Sequence, residues 1–140
     1  VGYGNGEIEP GIASLVQAAN DAGYVTFSSC EGHHNQDPNS PRFPLVSFYA
    51  DEQRARTVHF ALRAIRYQLR CSWILRASFV LHRTSNLWAL GWTLENAGII
   101  PGADTPLEFE RLTVQVGREH DVPLLIAMFH GLANEDIPVP

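Results

Sequence analysis

Residues 45–69 read LVSFYADEQRARTVHFALRAIRYQL, and this stretch carries the clearest structural pattern of the chain. Its first five residues include β-branched and aromatic side chains, which predicts a short strand. Asp51 follows as an N-cap, and Glu52 lies in the first turn of the helix that begins there. Beyond them, apolar residues recur at spacings of three and four: Ala55, Val58, Leu62, Ile65 and Leu69. The stretch therefore predicts a strand followed by a helix with one buried face.

Upstream of this stretch, another helix and strand are expected in sequence. Pro10 suits the first turn of a helix, and Gly23 can end that helix in the left-handed conformation. Residues 24–29 are rich in β-forming side chains and predict a strand. Residues 35–44 contain three Pro and two Asn, which predicts a loop.

Downstream, a hairpin and further helical structure are expected. Residues 73–82 and 87–95 are apolar runs joined by a polar turn, a pattern typical of a β-hairpin. Thr105 opens a capping box with Pro at the first helical position, so a helix is predicted from there to about residue 120. Residues 123–130 are apolar and fit either a strand or a buried helix.

The fold class predicted by these elements is α+β, with a mostly antiparallel sheet and helices packed on one face. The order of elements suggests a doubled αββ unit. The 140 residues fit one domain spanning residues 1–140. Within it, residues 1–8 are expected to be a flexible lead-in and residues 132–140 an extended tail.

Composition restricts the partners. The net charge of −5 does not favour binding to nucleic acid, although it leaves that partner open. All ten basic residues are Arg, and seven of them fall within residues 42–76. No apolar run is long enough for a membrane span, and two cysteines are too few for a disulfide scaffold. A soluble, cytoplasmic protein is expected, with secretion through a missing N-terminal region as the alternative.

The polar loop at residues 28–34, SSCEGHH, is the best candidate for a functional site. It follows a predicted strand, and loops at strand ends are where α/β folds place reactive groups. The catalytic candidates are Cys30, Glu31 and His33. A plain polar turn is the alternative interpretation. Residues 119–121, Glu-His-Asp, are interpreted as no more than a charge cluster at a helix end.

Three chemical interpretations of this loop compete. Cys30 with His33 or His34 could supply zinc ligands, completed by another His elsewhere in the chain. Alternatively, Cys30 could be a nucleophile activated by a His and oriented by Glu31. In the third interpretation the loop cradles a ligand, because its small residues let backbone N–H groups approach a phosphate or carboxylate.

The helix predicted after Asp51 favours the ligand cradle. At about 100° per residue, five basic residues fall within an arc of about 80° beside the apolar stripe: Arg56, His59, Arg63, Arg66 and Arg70. A solvated basic face is the alternative for this arc, and the cradle interpretation uses it to guide an anion. The substrate-binding residues expected are Ser28, Ser29, Gly32, His34, His59, Arg63 and Arg66.

The segment at residues 6–33 resembles the opening of the tRNA wybutosine-synthesis methyltransferase family. The resemblance rests on a strand ending in Thr-x-Ser-Ser-Cys-x-Gly, which runs here from Thr26 to Gly32. The family has a basic residue after the Gly, where this chain has His33. The loop is also similar to the Ser-Cys-x-Gly-His loop of uncharacterised phage and bacterial proteins. The family resemblance implies RNA modification with S-adenosylmethionine as the cofactor. Apart from this resemblance, the sequence leaves zinc open as an alternative cofactor.

The leading functional hypothesis is that the loop binds or modifies a nucleotide-like or phosphate-bearing substrate. An enzyme is favoured, either a transferase or a hydrolase, with a small molecule or nucleotide as its partner. A Cys30-dependent hydrolase or transferase is the second hypothesis. The third is a non-enzymatic interaction module that uses an open sheet face, in a secreted effector or a phage protein.

Overall fold

The computed structural model describes residues 8–33, 43–82 and 84–134. Its strands are β1 (Val25–Cys30), β2 (Leu45–Tyr49), β3 (Cys71–Leu81) and β4 (Trp88–Ile99). Its α-helices are α1 (Pro10–Asp21), α2 (Glu52–Ile65), α3 (Pro106–Val116) and α4 (Val122–Asn134), and a π-helical turn (Gly117–Asp121) joins the last two. No helix in these described ranges is long and apolar enough to cross a membrane.

The four strands form one antiparallel sheet in the order β1-β2-β4-β3. The α+β prediction is therefore confirmed. The element order α1-β1-β2 followed by α2-β3-β4 agrees with the doubled αββ unit. Because the second strand of each unit lies at the centre, the first strands β1 and β3 become the two edges of the sheet.

The core lies between the helices and one face of the sheet. Val46, Phe48 and Leu94 are fully buried on this face. The ring of Phe48 packs edge-on against Tyr24, with centroids 5.2 Å apart, and against Phe129 of α4 at 6.5 Å. Such edge-to-face contacts stabilise aromatic pairs beyond the burial of their area.

The C-terminal helices depart from the prediction in two places. The helix that begins at Pro106 ends as α-helix at Val116, because the π-helical turn interrupts it before Pro123, a residue that cannot donate to a helical ladder. The apolar segment at 123–130 is helical and α4 continues to Asn134, so the expected extended tail does not begin at residue 132. Residues 1–7 and 135–140 lie outside the described residues.

Asp121 joins this C-terminal unit to β3, contrary to its interpretation as part of a surface charge cluster. Its carboxylate is fully buried and accepts hydrogen bonds from the backbone N–H groups of Arg70 and Cys71, at 2.9 and 2.8 Å. It also accepts one from Trp73 Nε1 at 2.8 Å and one from His120 Nδ1 at 2.6 Å. The carboxylate thus satisfies backbone donors at the start of an edge strand.

Candidate functional site

The end of β1 and the start of α1 meet at Glu9. Since α1 and β1 are joined by a short turn, they run antiparallel, and the first turn of the helix lies beside the last residues of the strand. Glu9 occupies the N-cap position, but its side chain makes no capping hydrogen bond to α1. The carboxylate lies against the loop that follows β1 instead.

The carboxylates of two glutamates connect the loop and the helix at this junction, each by accepting a backbone hydrogen bond from the other segment. Glu9 Oε1 accepts from the backbone N–H of Glu31 at 2.9 Å. In return, Glu31 Oε1 accepts from the backbone N–H of Gly11 at 2.6 Å, in the first turn of α1. A carboxylate at this position is also favoured by the helix dipole. Glu31 is therefore an anchor between helix and loop, and the structure does not place it as the orienting group of a catalytic His.

Glu9, Cys30 and His33 converge beyond this anchor. His33 Nε2 donates a hydrogen bond to Glu9 Oε2 at 2.7 Å, with both side chains about one-third exposed or less. The thiol of Cys30 is 2% exposed, and its Sγ accepts from the backbone N–H of Gly32 at 3.4 Å. One carboxylate oxygen, the sulfur and one imidazole nitrogen all lie within 4.8 Å of one another. The set matches the donors that zinc prefers in proteins.

Burial determines the state of the Cys30 thiol. The pKa of Cys30 is raised to about 11, chiefly by burial and also by the nearby Glu9 carboxylate, although the Gly32 N–H acts to lower it. In the metal-free chain Cys30 is therefore a neutral thiol at pH 7. A neutral, buried thiol is a poor nucleophile, since the thiolate is the reactive species.

Gly32 allows the loop to turn back toward α1. Its φ of +94° lies in the left-handed region that favours glycine. A Cβ at this position would also lie 2.9 Å from Cδ of Pro44. This bend is what the alternative interpretation of the loop as a polar turn requires, whereas the predicted substrate-binding role of Gly32 stays a prediction.

A cleft of about 470 Å³ lies beside the Glu31 anchor, and Glu9, Cys30 and His33 are not among the residues that line it. Its lining includes Gly11, whose N–H bonds to Glu31, and Arg118, whose guanidinium lies 3.7 Å from Glu31 Oε1. Arg111 also lines it and is held by hydrogen bonds to Glu108 and Gln115. The cleft therefore presents two guanidinium groups, each paired with a glutamate, and its lining also includes Glu119.

The other predicted site residues lie elsewhere. Ser28 pairs with Ser47 inside the sheet. Ser29 is 1% exposed, and its hydroxyl makes no hydrogen bond to any described residue. His34 lies outside the described residues.

The basic face predicted to guide a ligand to the loop is remote from it. His59, Arg63 and Arg66 line a cleft between α2 and β3. The loop follows β1, and the sheet order places β1 and β3 at opposite edges. Three strand spacings separate these edges, about 14 Å. The structure therefore does not bring this face and the loop together into one site.

Sequence reasoning missed Glu9 and Arg118. The Glu9-Pro10 pair offered one signal, because it places a carboxylate just before the first residue of a predicted helix. No local pattern marks Arg118, which reaches the loop only through the packing of α1 against the C-terminal helices.

No protein-family model, curated protein or solved structure matches this chain. The resemblance to the wybutosine-synthesis methyltransferases accordingly stays a prediction.

Proposed function

We propose that the protein binds one zinc ion through Glu9, Cys30 and His33, and that this centre acts on a phosphate-bearing substrate in the adjoining cleft. The observation that carries the proposal is the convergence of a thiol, an imidazole and a carboxylate within 4.8 Å of one another. The donors come from two segments of the chain, since Glu9 precedes α1 while the other two follow β1.

The cluster fits the dimensions of a zinc site. Zinc–ligand bonds of about 2.0–2.3 Å imply distances of about 3.2–3.8 Å between neighbouring ligand atoms in a tetrahedron. The 2.7 Å between His33 Nε2 and Glu9 Oε2 would open by about 1 Å or less on that geometry. The other two separations are at most 4.8 Å and would close by about 1.5 Å or less, so side-chain movements on this scale are what ligation requires.

Groups outside the three donors support the same assignment. The backbone N–H of Glu31 bonds to the second oxygen of Glu9, and the backbone N–H of Gly32 bonds to the sulfur of Cys30. Such outer hydrogen bonds orient metal ligands. The hydrogen bond from His33 to Glu9 also favours Cys30 as a ligand over Cys30 as a nucleophile, because it directs the imidazole to a carboxylate.

The described residues supply three donors, the number typical of catalytic zinc sites, which keep a fourth position for water or substrate. Bound zinc supplies Lewis-acid chemistry and a hydroxide nucleophile at neutral pH. In the cleft, Arg111 and Arg118 would bind and orient an anionic group, since guanidinium matches phosphate oxygens. Metal-assisted hydrolysis is the reaction class that this arrangement supports best.

Zinc binding is tested by titrating the metal-free chain with zinc at pH 7 in a calorimeter. We expect one ion per chain, bound with a Kd of about 1 μM or lower. His33→Ala removes one donor and is expected to weaken binding about 100-fold. His59→Ala is the matched control, because His59 is exposed and lies in the remote cleft. Equal zinc affinity in the His33→Ala variant and the native chain would contradict the proposal.

Anion binding in the cleft is tested separately with inorganic phosphate and the zinc-loaded chain. Arg118→Ala is expected to weaken phosphate binding about tenfold while leaving zinc affinity unchanged, because it removes a charged donor but no metal ligand. Arg56→Ala is the control, since Arg56 pairs with Glu52 on the exposed side of α2. If both variants bind phosphate as the native chain does, the cleft is not the anion site.

A further inference from the structure

The edge strand β3 and helix α2 enclose a groove that the proposed zinc centre does not use. Two adjoining clefts of about 380 and 520 Å³ form it, and both are lined by Leu62, Arg66 and Trp73. Arg63 and His59 line one end, and Arg70 and Tyr67 line the other.

The groove follows the edge of the strand. Trp73, Ile74 and Leu75 all line the first cleft, and they are consecutive residues of β3. Successive side chains of a strand point to opposite faces, so a cleft that contacts three in a row must run along the strand's edge. The second cleft extends along the preceding residues, 69–73.

The pairing of β3 with β4 shows which backbone groups at this edge point away from the sheet. At the hairpin end, the N–H of His82 donates to the carbonyl of Leu87. Hydrogen-bonded and non-bonded pairs alternate along an antiparallel ladder, and the register is regular from Trp73 to Leu81. The N–H and C=O groups of Leu75 and Ala77 therefore point away from β4. In the described sheet, β4 is the strand that pairs with β3, so this edge carries unused backbone donors and acceptors.

The charge of the groove indicates what would occupy it. Of the described residues, three Arg and no Asp or Glu line it, in a chain with 15 acidic and 10 basic residues. Among the described residues, Arg63, Arg66 and Arg70 form no ion pair. Arg66 instead lies over the ring of Tyr67, 4.7 Å from its centroid, and donates to its hydroxyl.

We propose that this groove binds an extended acidic peptide segment of a partner protein, which adds to the sheet as a fifth strand beside β3. The backbone of the peptide would pair with Leu75 and Ala77, as in other cases where a peptide extends a sheet. Carboxylates at alternate positions would face Arg63, Arg66 and Arg70. A second copy of this chain fits less well, because pairing β3 with β3 would bring two sets of these Arg residues to one interface, where their charges would repel each other.

The test measures fluorescence anisotropy of a labelled peptide of about ten residues with Glu and Val in alternation. The intact chain is expected to bind it, and a matched peptide with Lys in place of Glu is expected not to bind. The double variant Arg63→Ala/Arg66→Ala should weaken binding about tenfold or more. Arg56→Ala on the same helix should leave binding unchanged, since Arg56 lies outside the groove and pairs with Glu52.

A second variant tests the strand addition itself. Leu75→Pro removes an outward N–H without removing a donor to β4, and proline is tolerated on edge strands. Its fold is checked by circular dichroism, and it should lose most of the peptide binding while retaining zinc affinity. The proposal is overturned if the acidic peptide does not bind the intact chain. It is equally overturned if either the double Arg variant or a folded Leu75→Pro variant binds the peptide as tightly as the native chain does. It is also overturned if single-stranded oligothymidylate binds the groove more tightly than the peptide, or if the chain forms dimers that block the peptide.

Discussion

Replacing Asp121 by Ala is expected to lower the free energy of unfolding by about 4 kcal/mol or more. The carboxylate is fully buried and accepts four hydrogen bonds, two of them from the backbone at the start of β3. Its removal leaves the N–H groups of Arg70 and Cys71 and the indole N–H of Trp73 without acceptors. Unsatisfied buried donors cost about 1–3 kcal/mol each, which outweighs any gain from removing a buried charge.

Urea unfolding at pH 7 measures this effect. Asp121→Asn keeps the shape but turns an amide NH₂ toward N–H donors, so an intermediate loss of about 2–3 kcal/mol is expected. Asp104→Ala is the control, because Asp104 is exposed, and its stability should stay within about 0.5 kcal/mol of the native chain. A loss below 1 kcal/mol for Asp121→Ala would show that the carboxylate is not the link between the C-terminal helices and β3.

Replacing Cys30 by Ser is expected to weaken zinc binding about 1,000-fold, equivalent to about 4 kcal/mol. The thiolate is the softest and most strongly donating ligand of the proposed set, and a hydroxyl does not replace it. The substitution keeps the approximate size and polarity of the side chain, so the fold should be retained. Cobalt titration provides an independent readout, because sulfur-to-cobalt charge transfer should appear in the native chain and be absent from Cys30→Ser.

Cys71→Ser is the matched control for this prediction. Cys71 is as buried as Cys30, and its pKa is likewise raised to about 11, chiefly by burial and also by Asp121, although Asn96 acts to lower it. It lies at the start of β3 and is not one of the three converging donors. Its replacement should change stability but not zinc affinity or the cobalt spectrum. Equal zinc affinity in a folded Cys30→Ser variant and the native chain would contradict the metal centre.

The sequence predicted the local elements well where side-chain spacing carries the information. The helix after Asp51 begins at Glu52, and the Asp51 side chain accepts from the backbone N–H of Arg54 as an N-cap should. Thr105 caps the next predicted helix in the same way. These features depend on residues three or four positions apart, so the local sequence is sufficient to specify them.

The candidate site was predicted only in part. Cys30 and His33 lie within one loop, and the local density of polar groups identified them. Glu9 is 21 positions from Cys30 and 24 from His33, and only the antiparallel packing of α1 on β1 brings it to them. Arg118 reaches the loop from still farther along the chain.

The α+β class, the order of the elements as far as α3 and the loop that carries the thiol and imidazole could therefore be predicted from the sequence, whereas residues 123–130 fitted either a strand or a helix. The tertiary structure alone decided that β1 and β3 are opposite edges, which separates the basic face of α2 from that loop. It also decided that Asp121 is a buried acceptor. The physical reason is that strand order and helix docking depend on burying apolar faces from distant segments together. The polar groups that meet at the ends of those segments are set by that packing and leave no local pattern.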